Sequence, residues 1–290
     1  MFLTLFQKMF RHKDVPNNQT FYNYIKSKTD WEQAVNSLKR DKDEDLDLRI
    51  NLQFDNDKVL EEVYQLYKEV GAITWQSQNN LNLYGLSLTH NPNHPKELWK
   101  MGSFGHLRYK TYNSKDYYGA VMNDNNNHVK DDYLDSLSFN SLLPEVKTKP
   151  NLYKLLNSFN FPIIRVTVRT INGILVYPTQ ITGDGGFHTD DSPFEVLRVN
   201  VSLSNNENFG LEYKNKKIIY TRGGDNLVVN TDKLHRAYVK NKCNFQRTNL
   251  VIGLATWLNY DKTNNSYSLN NHYGKTHPYD LAQQNLLSFN

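Results

Sequence analysis

A single cysteine, Cys243, serves all 290 residues. No intrachain disulfide can form from it, and zinc modules that need several thiolates are excluded. A reducing cytoplasm fits that scarcity. Hydrophobic residues are also sparse, at 38% of the chain, and mean hydropathy is −0.70. The apolar opening Met1–Phe10 is too short to cross a bilayer and lacks a small-residue cleavage pattern. A helix packed on the core is expected there, with no membrane partner. A dominant charge of one sign is missing as well: 34 Lys and Arg face 30 Asp and Glu, a net of +4. That mild basic excess neither demands nor excludes a nucleic-acid partner.

Aromatic residues, by contrast, make up 13% of the chain, so Tyr and Phe must fill much of a core, which argues against wholesale disorder. The many Asn, Lys, Asp and Tyr residues match an AT-rich genome, as in many viruses, and would then place the protein in a host cytoplasm. No repeat or long linker divides the chain. One domain over 1–290 is expected: a helical and irregular part over 1–160, a β core over 161–258 and a C-terminal extension over 259–290.

Helical spacing runs from Asp30 to Lys39 and from Asp55 to Val70. In the second, Val59, Leu60, Val63, Leu66 and Tyr67 recur on one face, Asp55 or Asn56 can cap it, and Gly71 can end it. From Gln76 to Pro150 the composition predicts irregular structure with short strands, and Asn123–His128 an exposed loop. Beyond Phe161 the texture changes to β-branched runs. Strands are predicted over Ile163–Thr170, Ile174–Ile181, Phe194–Ser204, Leu211–Thr221, Asn226–Asn230, His235–Lys240 and Arg247–Trp257. With no helices between them, these suggest a mainly β fold with N-terminal helices, its strands forming an antiparallel barrel or sandwich rather than a parallel sheet.

The strongest chemical signal lies in Gly183–Asp190. His188 and Asp190 form an H-x-D pair, which in extended backbone points both side chains to one face. Imidazole and carboxylate suit Fe(II), and a distant second His completes a facial triad that leaves three coordination positions open. Two of these can take the keto acid 2-oxoglutarate and the third O2. His235, 47 residues after His188 and beyond a glycine turn and an apolar strand, is the candidate second His. A buried distal carboxylate of 2-oxoglutarate needs a cation. Arg247, 12 residues after His235, offers a guanidinium that grips a carboxylate through two parallel hydrogen bonds. Arg198 is the second candidate, and Asn200 shares its face, so a polar lumen against an apolar outer layer is expected. Tyr177 is a candidate hydrogen-bond partner of the co-substrate, with a core position as its alternative.

Taken in order, His188-Thr189-Asp190, Arg198-Val199-Asn200, Gly224-Asp225, His235 and Arg247 resemble the Fe(II)/2-oxoglutarate-dependent oxygenases, most of all their aspartyl/asparaginyl β-hydroxylase branch. The likeness spans about Ile163 to Trp257. It implies a double-stranded β-helix (jelly-roll, cupin-like) barrel in which Arg198 and Arg247 face the co-substrate. Two departures stand out. Animal members of the branch have Gly where this chain has Asp190, and Gly183-Asp184 resembles prolyl hydroxylases. Halogenases of the superfamily put a small residue at the carboxylate position, so Asp190 favours hydroxylation.

The resemblance thus implies a dioxygenase using Fe(II), 2-oxoglutarate and O2 to hydroxylate an unactivated C–H bond, with succinate and CO2 released. An amino acid or a peptidyl Asp, Asn or Pro side chain is the expected substrate. Oxidation of a nucleobase or nucleic acid is the alternative within the superfamily, and a non-catalytic β-barrel binding protein the alternative outside it. Each site residue has a plainer reading. His235 could be a surface His, Arg247 a strand-end salt bridge, and Arg198 a partner of Asp191 or Glu195. Asp191 is expected to cap a loop or face solvent, and His106, His128, His272 and His277 to lie at the surface. Arg165 and Arg169 could line the barrel or its rim, and Arg108–Tyr112 could be a basic-aromatic surface, a lid or a half-buried strand.

Overall fold

In a computed structural model of the chain the described residues are 30–40, 47–76, 82–92, 94–98, 108–110, 118–119, 137, 139–175, 187–204, 209–215, 218–239 and 243–285. Met1–Phe10, the Asn123–His128 segment, Tyr177, Gly183–Gly186, His106 and His128 lie outside them.

Both helices read from periodicity form. Helix α1 covers Trp31–Leu38 and α2 Asn56–Glu69. Asp55 caps α2 by accepting the Lys58 N–H at 3.1 Å, and Gly71 just beyond it takes φ 91°, the left-handed stop that glycine adopts without strain. Val59, Val63 and Leu66 are fully buried. Three further helices, α3 (Pro144–Lys147), α4 (Pro150–Leu156) and α5 (Pro278–Asn285), each open on a proline. The ring's fixed φ suits a first turn whose N–H has no helical acceptor anyway. The apolar runs of α3 and α4 are too short to show a helical period, and both fall in or beside the stretch that composition predicts to be irregular. No helix among the described residues is long and apolar enough to cross a membrane.

The chain is otherwise mainly β. In order come β1 (Asp47–Arg49), β2 (Ile73–Gln76), β3 (Asn82–Ser87), β4 (Thr89–Asn91), β5 (His94–Leu98), β6 (Arg108–Lys110), β7 (Tyr118–Gly119) and β8 (Ser141–Leu142). Then follow β9 (Ile163–Leu175), β10 (Leu197–Ser202), β11 (Phe209–Tyr213), β12 (Ile218–Tyr220), β13 (Asn226–Val229), β14 (His235–Val239), β15 (Cys243–Leu254), β16 (Leu258–Asp261) and β17 (Ser266–Leu269). An eight-stranded sheet runs β1-β13-β10-β15-β9-β3-β2-β6, a smaller one β12-β11-β14, and two more hold β7-β5-β4-β8 and β16-β17. From β9 onward the chain passes back and forth between the first two. Strand β9 belongs to the large sheet, His188 bridges to β14 of the small one, β10 returns, β11 and β12 cross, and β13, β14 and β15 alternate again. This is a jelly-roll-like order, and no barrel is closed among the described residues.

Strand period explains the two faces. Val166, Val168, Val199, Val201, Leu250 and Ile252 lie on one face of the large sheet, all fully buried, in the same core cluster as α1, α2 and α4. On the opposite face stand Arg169, Arg198, Asn200, Arg247 and Asn249, by the register of β9, β10 and β15. A second, smaller apolar cluster of Tyr213, Ile219, Leu227 and Val229 joins the small sheet to this inner face. The polar face and the apolar face read from alternation on β10 are therefore both present.

Several boundaries differ from the sequence reading. The break predicted between Thr170 and Ile174 is absent, because Asn172 and Gly173 continue the ladder to Gln246 and Phe245 of β15; residues 176–181 lie outside the described residues. The strand predicted from Phe194 begins at Leu197, since the Glu195 and Val196 N–H groups both turn back to the Ser192 carbonyl at 2.9 Å. The run 211–221 folds into the hairpin β11–β12. Of the basic-aromatic stretch, Arg108–Lys110 is the edge strand β6. His277, expected at the surface, is 5% exposed, its ring against Phe194 and its Nδ1 accepting the Tyr279 N–H at 3.1 Å.

Candidate metal centre

His188 and His235 are held by the backbone ladder itself. Each N–H donates to the other's carbonyl at 2.9 Å, an antiparallel hydrogen-bonded pair that sets the two side chains on one face. Their ring centroids lie 4.6 Å apart. Asp190 is fixed two residues on, where its N–H donates to the Thr231 carbonyl at 2.8 Å and the Thr231 hydroxyl donates to the Asp191 carbonyl at 2.8 Å. The alternation that places His188 and Asp190 on one face brings Asp190 Oδ2 to 3.9 Å from His188 Nε2 and 3.7 Å from His235 Nε2. All three ligand atoms fall within 4.8 Å of one another.

The donor chemistry fits a divalent transition metal. His235 Nδ1 lies 2.8 Å from the Lys233 carbonyl, which can only accept, so Nδ1 carries a proton and Nε2 is the ring nitrogen turned toward Asp190. His235 is 4% exposed, whereas the His188 side chain is 44% exposed. One imidazole therefore forms the floor of the site and the other its rim. Two imidazoles and one carboxylate on one side of an ion make a facial triad. Among the described residues no other group of three His, Cys, Asp or Glu side chains is so placed.

A charge network backs the carboxylate. Arg198 donates to Asp190 and, at 3.4 Å, to Asp191, while Arg165 pairs with Asp191. Burial alone would raise the Asp190 pKa, but Arg198 and the two imidazoles hold it well below the usual carboxylate range. Asp191 is likewise lowered: burial opposes ionisation, and Arg165 and Arg198 outweigh it. Asp191, expected at a loop cap, in solvent or as a partner of Arg198, joins both Arg198 and Arg165. Arg165 reaches it through a β-bulge. Between the pairs Val251–Thr167 and Gly253–Ile164 the register shifts, and Arg165 takes φ 49°, a conformation that re-aims a side chain out of strand alternation.

Deeper on the same face lie Arg247 and Asn249 of β15, Arg169 of β9 and Asn200 of β10. Arg247 stacks on Phe209 with its guanidinium carbon 3.9 Å from the ring centre. The Nε atoms of Arg169 and Arg247 and the side-chain oxygens of Asn200 and Asn249 are buried with no hydrogen-bond partner among the described residues. Each such atom costs about 1–3 kcal/mol if nothing meets it, so four on one face mark a polar surface that calls for a partner. The structure thus gathers His188, Asp190 and His235 at the mouth, with Arg198, Asn200 and Arg247 on the inner face. Sequence reasoning assigned no site role to Arg169, Asp191 or Tyr213. Tyr213 pairs directly with His235 across β11 and β14, its ring 6.2 Å from the imidazole. Strand alternation around Arg169 is the one signal available for it, and alternation cannot tell lumen from rim.

No protein-family model matches the chain, and no curated protein does. Solved structures do. An oxidoreductase of the 2OG-Fe(II) oxygenase family from Burkholderia pseudomallei is similar at 12% identity over 78% of this chain and 91% of that one, with a TM-score of 0.36. A prolyl hydroxylase from Trichoplax adhaerens, in complex with a hypoxia inducible factor oxygen degradation domain peptide fragment, matches at 14% identity over 79% and 94%, TM-score 0.33. A full-length protein from Neurospora crassa in complex with alpha-KG matches at 13% identity over 82% and 84%, TM-score 0.34.

Proposed function

We propose that the protein is an Fe(II)- and 2-oxoglutarate-dependent oxygenase with a double-stranded β-helix core. The observation that carries this reading is the His188–Asp190–His235 cluster, with its ligand atoms within 4.8 Å and its imidazole tautomer set by Lys233. His188, Asp190 and His235 would hold the iron, which with 2-oxoglutarate supplies O2 activation, the keto acid leaving as succinate and CO2. The chain's own residues do the rest. Arg198 orients Asp190, and Asn200 lines the pocket beside it. Arg247 offers the distal carboxylate of 2-oxoglutarate a buried guanidinium, whose charge is otherwise costly on this face. Phe187, stacked under Arg236 at 4.4 Å, and the exposed Leu234 flank the mouth where a substrate C–H bond would approach. Tyr177, outside the described residues, is kept as a candidate co-substrate contact.

Hydroxylation of an amino acid or a peptidyl Asp, Asn or Pro side chain is the favoured reaction, on the sequence resemblance and the carboxylate at position 190. A cytoplasmic setting, host cytoplasm for a viral protein, suits both the lone Cys243 and a ferrous ion. Incubation with Fe(II), ascorbate and 2-oxoglutarate in air tests the activity. Iron-dependent succinate formation, abolished in His235→Ala, is expected even without prime substrate; its absence with every candidate substrate would overturn the reading.

A further inference from the structure

Two arginines on the inner face of the large sheet meet no carboxylate among the described residues. Arg169 pairs with Asn249 and Arg247 with Ile171 across β9 and β15, so the two are diagonal neighbours on one face, with backbones about 7–8 Å apart. The arginines nearer the mouth are different. Arg165 and Arg198 are matched by Asp190 and Asp191, two cations against two anions. That leaves Arg169 and Arg247 without an ion-pair partner among the described residues, Asp190 and Asp191 acting on Arg169 only from a distance and on Arg247 not at all. Among the described residues neither is ion-paired, and the Nε of each is buried without an acceptor.

Burial first, and then Arg198, pushes the Arg169 pKa down to about 10; burial first, and then Arg169, pushes Arg247 down to about 9. Both stay charged at neutral pH. Like charges fixed side by side on a partly buried face repel, and an anion seated between them removes that repulsion together with the unmet hydrogen bonds. Asn200 and Asn249, with buried unpartnered side-chain oxygens, stand on the same face.

We propose that Arg169 is a second cation of the co-substrate pocket, clamping the distal carboxylate of 2-oxoglutarate together with Arg247 and restricting the pocket to keto acids that carry a second carboxylate. The inference rests on the 2-oxoglutarate reading. It assigns Arg169 a binding and selecting role. The two arginines lie on the two strands most fully paired in the sheet, so the clamp is set by the ladder rather than by a loop.

The test compares two keto acids on the Fe(II)-loaded protein without O2: 2-oxoglutarate, and 2-oxobutyrate, which lacks the distal carboxylate. Dissociation constants come from the metal-to-ligand absorption each produces. Wild type is expected to favour 2-oxoglutarate by tenfold or more. Arg169→Met should weaken 2-oxoglutarate at least tenfold and 2-oxobutyrate less than twofold, and Arg169→Lys should recover part of the loss. Because Arg169→Met also removes a like-charged neighbour of Arg247, the ligand-free Tm should not fall. Equal weakening of both acids, no weakening of 2-oxoglutarate, or a lower ligand-free Tm in Arg169→Met would overturn the role of Arg169 and leave the parent reading standing. Absence of absorption with either acid in wild type would overturn both.

Discussion

His188 and His235 exchange both of their backbone hydrogen bonds, each at 2.9 Å, so His235 is placed by β14 and His188 by a backbone bridge to it. Strand-built sites hold geometry more closely than loop-built ones. The carboxylate between them depends on less regular structure.

Asp190 is oriented through Arg198, which is itself held by Asp191 and, through it, by Arg165. Outer partners of metal ligands commonly govern affinity by about 10–100-fold. Asp191→Asn should therefore weaken ferrous ion binding by about tenfold while leaving the fold intact, as read by anaerobic metal titration alongside circular dichroism. Unchanged affinity would show that Arg198 needs no second carboxylate.

Gly253 stands opposite the bulge that aims Arg165. A Cβ there would come within 2.5 Å of the Ile164 carbonyl oxygen and 3.0 Å of Val196 Cγ1. Backbone must shift to relieve such a contact. Gly253→Ala is expected to cost about 1–3 kcal/mol of stability, as overpacking usually does, and to weaken metal binding by displacing Arg165. Chemical denaturation and the same metal titration report the two effects separately.

Ile252, fully buried on the opposite face of β15, tests the core independently of the site. Ile252→Ala should lose about 2–5 kcal/mol by denaturant unfolding, whereas metal affinity measured well below the transition should hold. A large change in affinity would mean that the outer and inner faces of the sheet are coupled.

His90 of β4 gives a pH dependence. Burial lowers its pKa from 6.5, against the pull of the Asn91 carbonyl. The unfolded chain then binds more protons than the folded one in the window below 6.5. Its contribution is fully present above that value and is lost as the pH falls through the window. His90→Gln should narrow the difference in Tm between about pH 7.5 and about pH 5; an unchanged difference would assign the acid sensitivity elsewhere.

Periodicity made α1, α2 and the strand series from Ile163 legible, because those runs are long enough to show a repeat. Chemistry made His188, Asp190 and His235 legible as a set, although only the first two follow from alternation within one extended segment. What stayed hidden depends on pairing between distant strands. Nothing local marks Arg169 as facing inward, since its direction is fixed by the partner Asn249, eighty residues away. Nor does the sequence show that Asp191 turns inward, because the bulge at Arg165 that meets it is a property of the β9–β15 register. Helices α3 and α4 escape periodicity since each is shorter than two full helical periods.

The most direct measurement is anaerobic titration of Fe(II) into the protein with 2-oxoglutarate, following the weak visible charge-transfer band of the bound keto acid. Wild type is expected to develop the band at one iron per chain, and His188→Ala and Asp190→Ala to lose it. A wild-type protein with no band, or either variant keeping it at full strength, would contradict the assignment of His188, Asp190 and His235 as an iron site that receives 2-oxoglutarate.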